Sequence, residues 1–248
     1  ELTPDFIKEF AAYLSTEAGL RNGSIWANCM WLKGVVMKAH YNGLIPRNPF
    51  IQFHISPNVK EREYLTEDEL KAVMTHEFAD SKLAYIRDIF IFASFTVLSF
   101  VDIQELTNDN IVEVNGEKWI LSKRHKTKVA FQVKLLDIPL QIVERYRPMQ
   151  KDNRIFPDLN YWSICKPLKR MIRECGITKS ISFHCSRHGF ATLALSKGMP
   201  IESVSRVLGH TNIVTTQLYA KITTQKLDND LTMFGDKLSK TFNGITMS

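Results

Sequence analysis

No apolar run in this chain reaches the ~18 residues that a membrane-spanning helix requires. The longest, around Ile89-Phe90-Ile91-Phe92-Ala93-Ser94-Phe95, is soon broken by polar residues. No secretory signal is visible. The four cysteines, Cys29, Cys165, Cys175 and Cys185, form no Cys-x-x-Cys pair, and apart from His184 directly before Cys185 no histidine stands at metal-ligand spacing from them. They read as reduced thiols, which excludes a disulfide framework and a structural zinc and points to the cytoplasm. A P-loop, a cluster of carboxylates, internal repeats and low-complexity tracts are also missing, so nothing marks the chain for nucleotide-driven or metal-ion chemistry.

What is present is an ordinary globular composition. With 44% hydrophobic and 23% charged residues over 248 positions, the chain can bury one or two cores. The 32 Lys and Arg outnumber the 26 Asp and Glu, for a net charge of +6 and a pI near 9.1. That balance favours a polyanionic partner without identifying one.

Helix and strand signals divide the chain. Residues 1–55 read as a small helical unit: Thr3-Pro4 starts a helix with Phe6, Phe10, Tyr13 and Leu14 on one face. Ser24 caps a second, carrying Ile25, Cys29, Leu32, Val36 and Ala39 and ending at Asn42-Gly43. Residues 56–65 read as a linker and 66–248 as a second domain. The latter opens with a capping box at Thr66-Glu67-Asp68-Glu69 and continues with an apolar helix from Leu83 to about Leu98. Three strands are predicted at Ile111–Val114, Trp119–Ser122 and Val129–Leu135, the first two joined by an Asn115-Gly116 turn, with helices starting near Leu140 and Tyr161.

The segment that discriminates most between functions is His184-Cys185-Ser186-Arg187, followed by Leu208-Gly209-His210 and then Tyr219. A phenol that attacks a phosphodiester must lose its proton, and the pentacoordinate transition state needs cationic donors around its equatorial oxygens. Arg187 offers a planar fork matched to phosphate, and His184 or His210 can donate to an oxygen or take a proton near neutral pH. Tyr219 is the candidate nucleophile. Local grammar places these groups on a helix opening at Ser182 or His184 and ending at Ser196-Lys197-Gly198, on a corner at Gly209 that closes a helix beginning at Pro200, and on a short helix bearing Tyr219.

This string resembles the tyrosine recombinase (phage integrase) family, whose pattern is His-x-x-Arg, then Leu-Gly-His, then Tyr. Here Arg187 precedes His210 by 23 positions and His210 precedes Tyr219 by 9, and Arg187-His188-Gly189-Phe190-Ala191-Thr192 matches the family's Arg-His-x-Phe-Ala-Thr. The resemblance implies a mainly α catalytic domain with a small three-stranded antiparallel sheet, behind the C-terminal part of a helical core-binding domain at residues 1–55. It implies site-specific cleavage and rejoining of DNA through a 3′-phosphotyrosyl intermediate, with no metal or other cofactor. The partners it implies are a double-stranded DNA recombination site and further copies of the chain, a tetramer on DNA and a monomer without it, with no membrane involved. The family has about two more helices ahead of such a unit, and the start at Glu1 reads as an N-terminal truncation.

Further roles follow from the resemblance alone. A lysine on the β-hairpin protonates the leaving 5′ oxygen in this family, and Lys126-Thr127 matches its usual Lys-Thr. Read without the resemblance, Lys123-Arg124-His125-Lys126-Thr127-Lys128 is a solvated basic hairpin tip; with it, Lys123, Arg124 and Lys128 are expected to contact the DNA backbone. The first family arginine is absent: Thr-Gly-Leu-Arg-x-x-Glu-Leu becomes Thr96-Val97-Leu98-Ser99-Phe100-Val101-Asp102-Ile103, with Ser99 in place of the arginine and Asp102 at the acidic position. Arg124 is a candidate substitute. Leu227, Leu231, Phe234, Leu238 and Phe242 form an amphipathic tail, packed on its own domain or on a neighbouring protomer. Two alternatives stand: a DNA-binding relative impaired in cleavage through Ser99, and a type IB topoisomerase, which usually has Lys where His184 stands.

Overall fold

Two helix starts written in the sequence, at Thr3 and Thr66, are used as hydrogen-bonded caps. The computed structural model describes residues 2–56, 63–125, 128–150, 152–157, 159–220 and 224–241, in two compact units, Glu1–Glu61 and Arg62–Ser248. In the first, the Phe6 N–H donates to Thr3 Oγ1 at 3.1 Å and Pro4 occupies the opening turn of α1, Pro4–Thr16. Helix α2, Asn22–Tyr41, begins two residues ahead of the expected cap: Arg21 precedes it without a side-chain bond, and Ser24 lies inside the first turn.

Two small cores hold this unit, Ile7 with Val36 and Phe50, and Leu14 with Ile25 and Cys29. The buried stripe of α1 is narrower than expected, for Phe6 and Tyr13 stay 41% and 56% exposed. Packing against one partner helix requires only a line of residues two turns apart, and Ile7 and Leu14 supply it.

The second unit opens with α3, Glu67–Thr75, where Thr66 and Glu69 cap each other reciprocally at 3.3 and 2.8 Å. Helix α4, Ser81–Thr96, is apolar on nearly every face because it runs through the core, against α6 (Asp137–Tyr146), α7 (Tyr161–Glu174) and α8 (Cys185–Ser196). Its buried Asp88 accepts from Arg87 (2.8 Å), Arg145 (2.7 Å) and the Tyr146 hydroxyl (2.8 Å). A short helix that the periodicity does not reveal, α5 (Phe100–Gln104), follows α4. Helix α6 starts at Asp137, ahead of the expected Leu140, with an acidic residue in its first turn.

The sheet is antiparallel in the order β1 (Ile111–Val114), β2 (Glu117–Lys123), β3 (Ala130–Lys134). Asn115 and Gly116 have φ of 53° and 78°, as a type I′ turn demands. Ile120 pairs with Ile111 on one side and Val133 on the other, so the central strand carries the sheet's buried face.

After α8 come α9 (Ile201–Leu208), α10 (Val214–Gln217) and α11 (Thr224–Thr241). On α11, Leu227, Leu231, Phe234 and Leu238 remain 38–59% exposed, so the tail helix does not bury its stripe on its own domain. Phe242 lies outside the described residues. No helix among the described residues is long and apolar enough to cross a membrane. The architecture is the expected one, mainly α with a three-stranded antiparallel sheet.

Candidate active site

Helix α4 ends at Val97, which takes the left-handed conformation (φ 61°, ψ 15°) while fully buried. A β-branched residue there is a strained exception, and it stands where the family pattern has glycine. The strain turns its carbonyl into the site, where Arg124 Nη1 and Arg187 Nη1 both donate to it at 3.2 Å. Two guanidinium groups from distant parts of the chain therefore meet at one oxygen.

Each arginine is fixed again at the end of α9. Arg124 Nη2 donates to the Val207 carbonyl at 3.0 Å, and Arg187 Nη2 donates to the Leu208 carbonyl. Gly209 makes this possible, because it breaks α9 in the left-handed region (φ 66°), and a Cβ there would stand 3.4 Å from Arg124 Nε. Burial, and secondarily the charge of Arg124, lower Arg187 to about 10, so it remains cationic at neutral pH.

Arg124 is the surprise of the hairpin. At 7% exposure it turns inward from the end of β2, 4.2 Å above the Phe131 ring, whereas Lys123 and Lys128 stay exposed. The solvated-tip reading is thus corrected for this residue, because Asp102 offers it a buried counter-charge at 3.0 Å. Burial pushes the Asp102 carboxyl up, but the His125 N–H (2.9 Å), the Ser99 hydroxyl (2.8 Å) and Arg124 outweigh it and leave the group below its ordinary value. Ser99 caps α5 in a reciprocal box with Asp102. The serine that replaces the family arginine is therefore the anchor of the carboxylate that holds Arg124. Lys126 lies outside the described residues.

His210 follows Gly209 and shares a 2.8 Å hydrogen bond between Nδ1 and the hydroxyl of fully buried Thr216. Burial first, then the charges of Arg187, Arg124 and His184, depress its pKa to about 4, so it is neutral at pH 7. His184 occupies the N-cap position of α8 and stacks edge-on against His188, with ring centroids 4.9 Å apart. Tyr219 lies past the end of α10 rather than on it, because Val214 and Leu218 point outward and Thr216 is the residue that packs. Its ring is 5.1 Å from His188, and a negative charge on its oxygen would favour the Arg187 cation.

Ser99, Asp102, Arg124, Arg187, His184, His210 and Tyr219 are thus brought into one connected cluster. Sequence reasoning missed Val97, Thr216 and His188, of which Val97 carries a signal in its departure from the family's glycine and His188 in its place in the Arg-His word. It also missed a basic stripe on α7. Lys166, Lys169, Arg170 and Arg173, at helical spacing, line an open cavity of about 440 Å³ with Glu174. Among the described residues no group of three or more His, Cys, Asp or Glu could hold a metal ion.

Comparison with known proteins places this geometry in context. The profile of the phage integrase family matches residues 63–226, and that of the phage integrase SAM-like domain matches residues 1–55. Tyrosine recombinase XerA of Pyrococcus horikoshii is 32% identical over 66% of the chain, and the match spans 58% of that protein's length. Tyrosine recombinase XerC of Lactobacillus leichmannii is 25% identical over 86% of the chain and 77% of its own. Among solved structures, the Tn1549 transposon integrase in complex with circular intermediate DNA shares the fold with a TM-score of 0.77, at 18% identity over 92% of this chain and 84% of that one.

Proposed function

The chain belongs to the phage integrase family, and from that premise we propose that it is a site-specific DNA recombinase acting through Tyr219. The observation that carries this reading is the convergence of Arg124 and Arg187 on the Val97 carbonyl beside His210 and Tyr219. Two forks held side by side can take the non-bridging oxygens of one phosphate and neutralise the charge that grows on them in the transition state. The first arginine's role passes to Arg124, fixed by Asp102 and Ser99.

In the step itself, the Tyr219 oxygen forms a bond to phosphorus as the bond to the 5′ oxygen breaks. The phenolic proton goes to an imidazole, that of His210 or His184, and the leaving oxygen takes a proton from Lys126. Rejoining is the reverse, with the 5′ hydroxyl of the partner strand attacking the phosphotyrosine. The bond energy is retained in the covalent link. No nucleotide or metal enters this balance.

The partner is duplex DNA. Lys123, Lys128 and the α7 stripe of Lys166, Lys169 and Arg173 supply exposed positive charge for its backbone. The relatives' names as tyrosine recombinases, and the DNA bound to the Tn1549 integrase, support the same reading. The exposed stripe of α11 docks on a second copy in the tetramer assembled on DNA, and the site of action is the cytoplasm. Incubation of the chain with nicked suicide duplexes carrying the ends of the DNA element that encodes it, followed by denaturing electrophoresis, tests the proposal. A slow-migrating adduct is expected with the wild-type chain and none with Tyr219→Phe. An adduct formed by the Phe variant overturns the assignment.

A further inference from the structure

His188 stands between the motif and the nucleophile without any role in the reaction just described. It lies four residues after His184 on the same face of α8, and its ring meets His184 edge-on at 4.9 Å and 80°. On its other side it meets the Tyr219 ring at 5.1 Å and 56°. Tyr219 itself lies just past the end of α10, next to Leu218, which is 69% exposed. The segment is attached by the Tyr219 N–H to the Thr216 carbonyl at 3.0 Å and by packing on the cluster of Val97, Ala191, Leu195, Val204 and Leu208. Besides that apolar cluster, the His188 ring meets the phenol directly.

We infer that His188 is a positioning residue for Tyr219, holding the phenol ring in the orientation from which its oxygen attacks. This inference rests on Tyr219 being the nucleophile. Attack requires the oxygen ~3–3.5 Å from phosphorus and in line with the leaving group, and a misplacement of ~1 Å can cost ~10²-fold. A tilted aromatic contact is worth up to on the order of tenfold in the occupancy of one arrangement. His188 transfers no proton and touches no phosphate in this role. Its effect passes entirely through the tyrosine ring.

The full chain is assayed on the nicked suicide duplex described above, under single-turnover conditions. His188→Ala slows adduct formation about tenfold or more, with DNA affinity and melting temperature little changed. His188→Phe, which retains an aromatic ring, restores most of the rate. A second arm removes the tyrosine from the chemistry: in Tyr219→Phe, hydrogen peroxide is supplied as the nucleophile, its oxygen bonding to phosphorus as the 5′ oxygen leaves and takes a proton. Adding His188→Ala to that variant leaves peroxide-driven cleavage unchanged. The inference is overturned if His188→Phe is as slow as His188→Ala, or if His188→Ala slows peroxide-driven cleavage as much as it slows adduct formation. A wild-type chain that forms no adduct while peroxide still drives cleavage removes Tyr219 as nucleophile, and the inference goes with it.

Discussion

Replacing Arg124 with lysine keeps a positive charge and removes the fork. The arginine spends three of its five donors on Asp102 Oδ2 at 3.0 Å, Val97 O at 3.2 Å and Val207 O at 3.0 Å, all in a site where it is 7% exposed. One ammonium on a shorter, narrower stem cannot reach all three. Losing one bond from a charged donor and leaving one buried carbonyl unpaired costs about 3–5 kcal/mol. Against ~5–15 kcal/mol of total stability the variant still folds, with a midpoint lowered by roughly 6–20 °C at ~2–4 °C per kcal/mol. Measured below the variant's own melting transition, single-turnover cleavage should fall by ~10²–10³, the value of one lost transition-state donor. DNA affinity should fall far less, because Arg124 meets one phosphate among the many backbone contacts that hold the duplex. The reasoning is refuted if melting drops as predicted while cleavage stays within about threefold of wild type, for Arg124 is then a structural ion pair and nothing more. Ser99→Arg should not raise the wild-type rate, because it removes the Asp102 anchor that seats Arg124.

Three other outcomes follow from the same geometry. His210 has a folded pKa of about 4 against ~6.5 when unfolded, so between those values the unfolded chain binds a proton that the folded one refuses. Stability should therefore fall as pH drops from 6.5 towards 4, and denaturant titrations showing a flat or rising profile contradict the assignment. Val97→Gly relieves roughly 1–2 kcal/mol of left-handed strain but removes a fully buried isopropyl group worth somewhat more, so the melting temperature should drop slightly rather than rise. DNA binding should weaken steeply between ~50 and ~200 mM salt as phosphate contacts release counterions. An unchanged affinity would count against backbone-dominated recognition.

Fold class was legible because its signals are local. The capping box at Thr66 and Glu69, the Asn115-Gly116 turn and the glycine stop at Gly209 each satisfy their own backbone groups, so a short window suffices to read them. The motif order was likewise legible, since His184, Arg187, His210 and Tyr219 fall at recognisable spacing. What was hidden depends on contacts between remote segments. Helix α5 is five residues long and shows no periodicity, yet its cap Ser99 turns out to seat a carboxylate for an arginine 25 positions away. A run of Lys and Arg looks uniformly solvated until a buried counter-charge singles out one member, as Asp102 does for Arg124. Thr216 could not be anticipated either, because only the fold brings it under His210.

The central claim is that the hydroxyl of Tyr219 becomes bonded to a 3′ phosphate. Adducts formed on duplexes labelled on either side of the nick, digested with protease and sequenced by mass spectrometry, report both the residue and the strand polarity. The account predicts a single phosphotyrosyl peptide containing Tyr219, linked to the fragment that ends in a 3′ phosphate, with a free 5′ hydroxyl on the released fragment. A link to another residue, or to a 5′ phosphate, contradicts it.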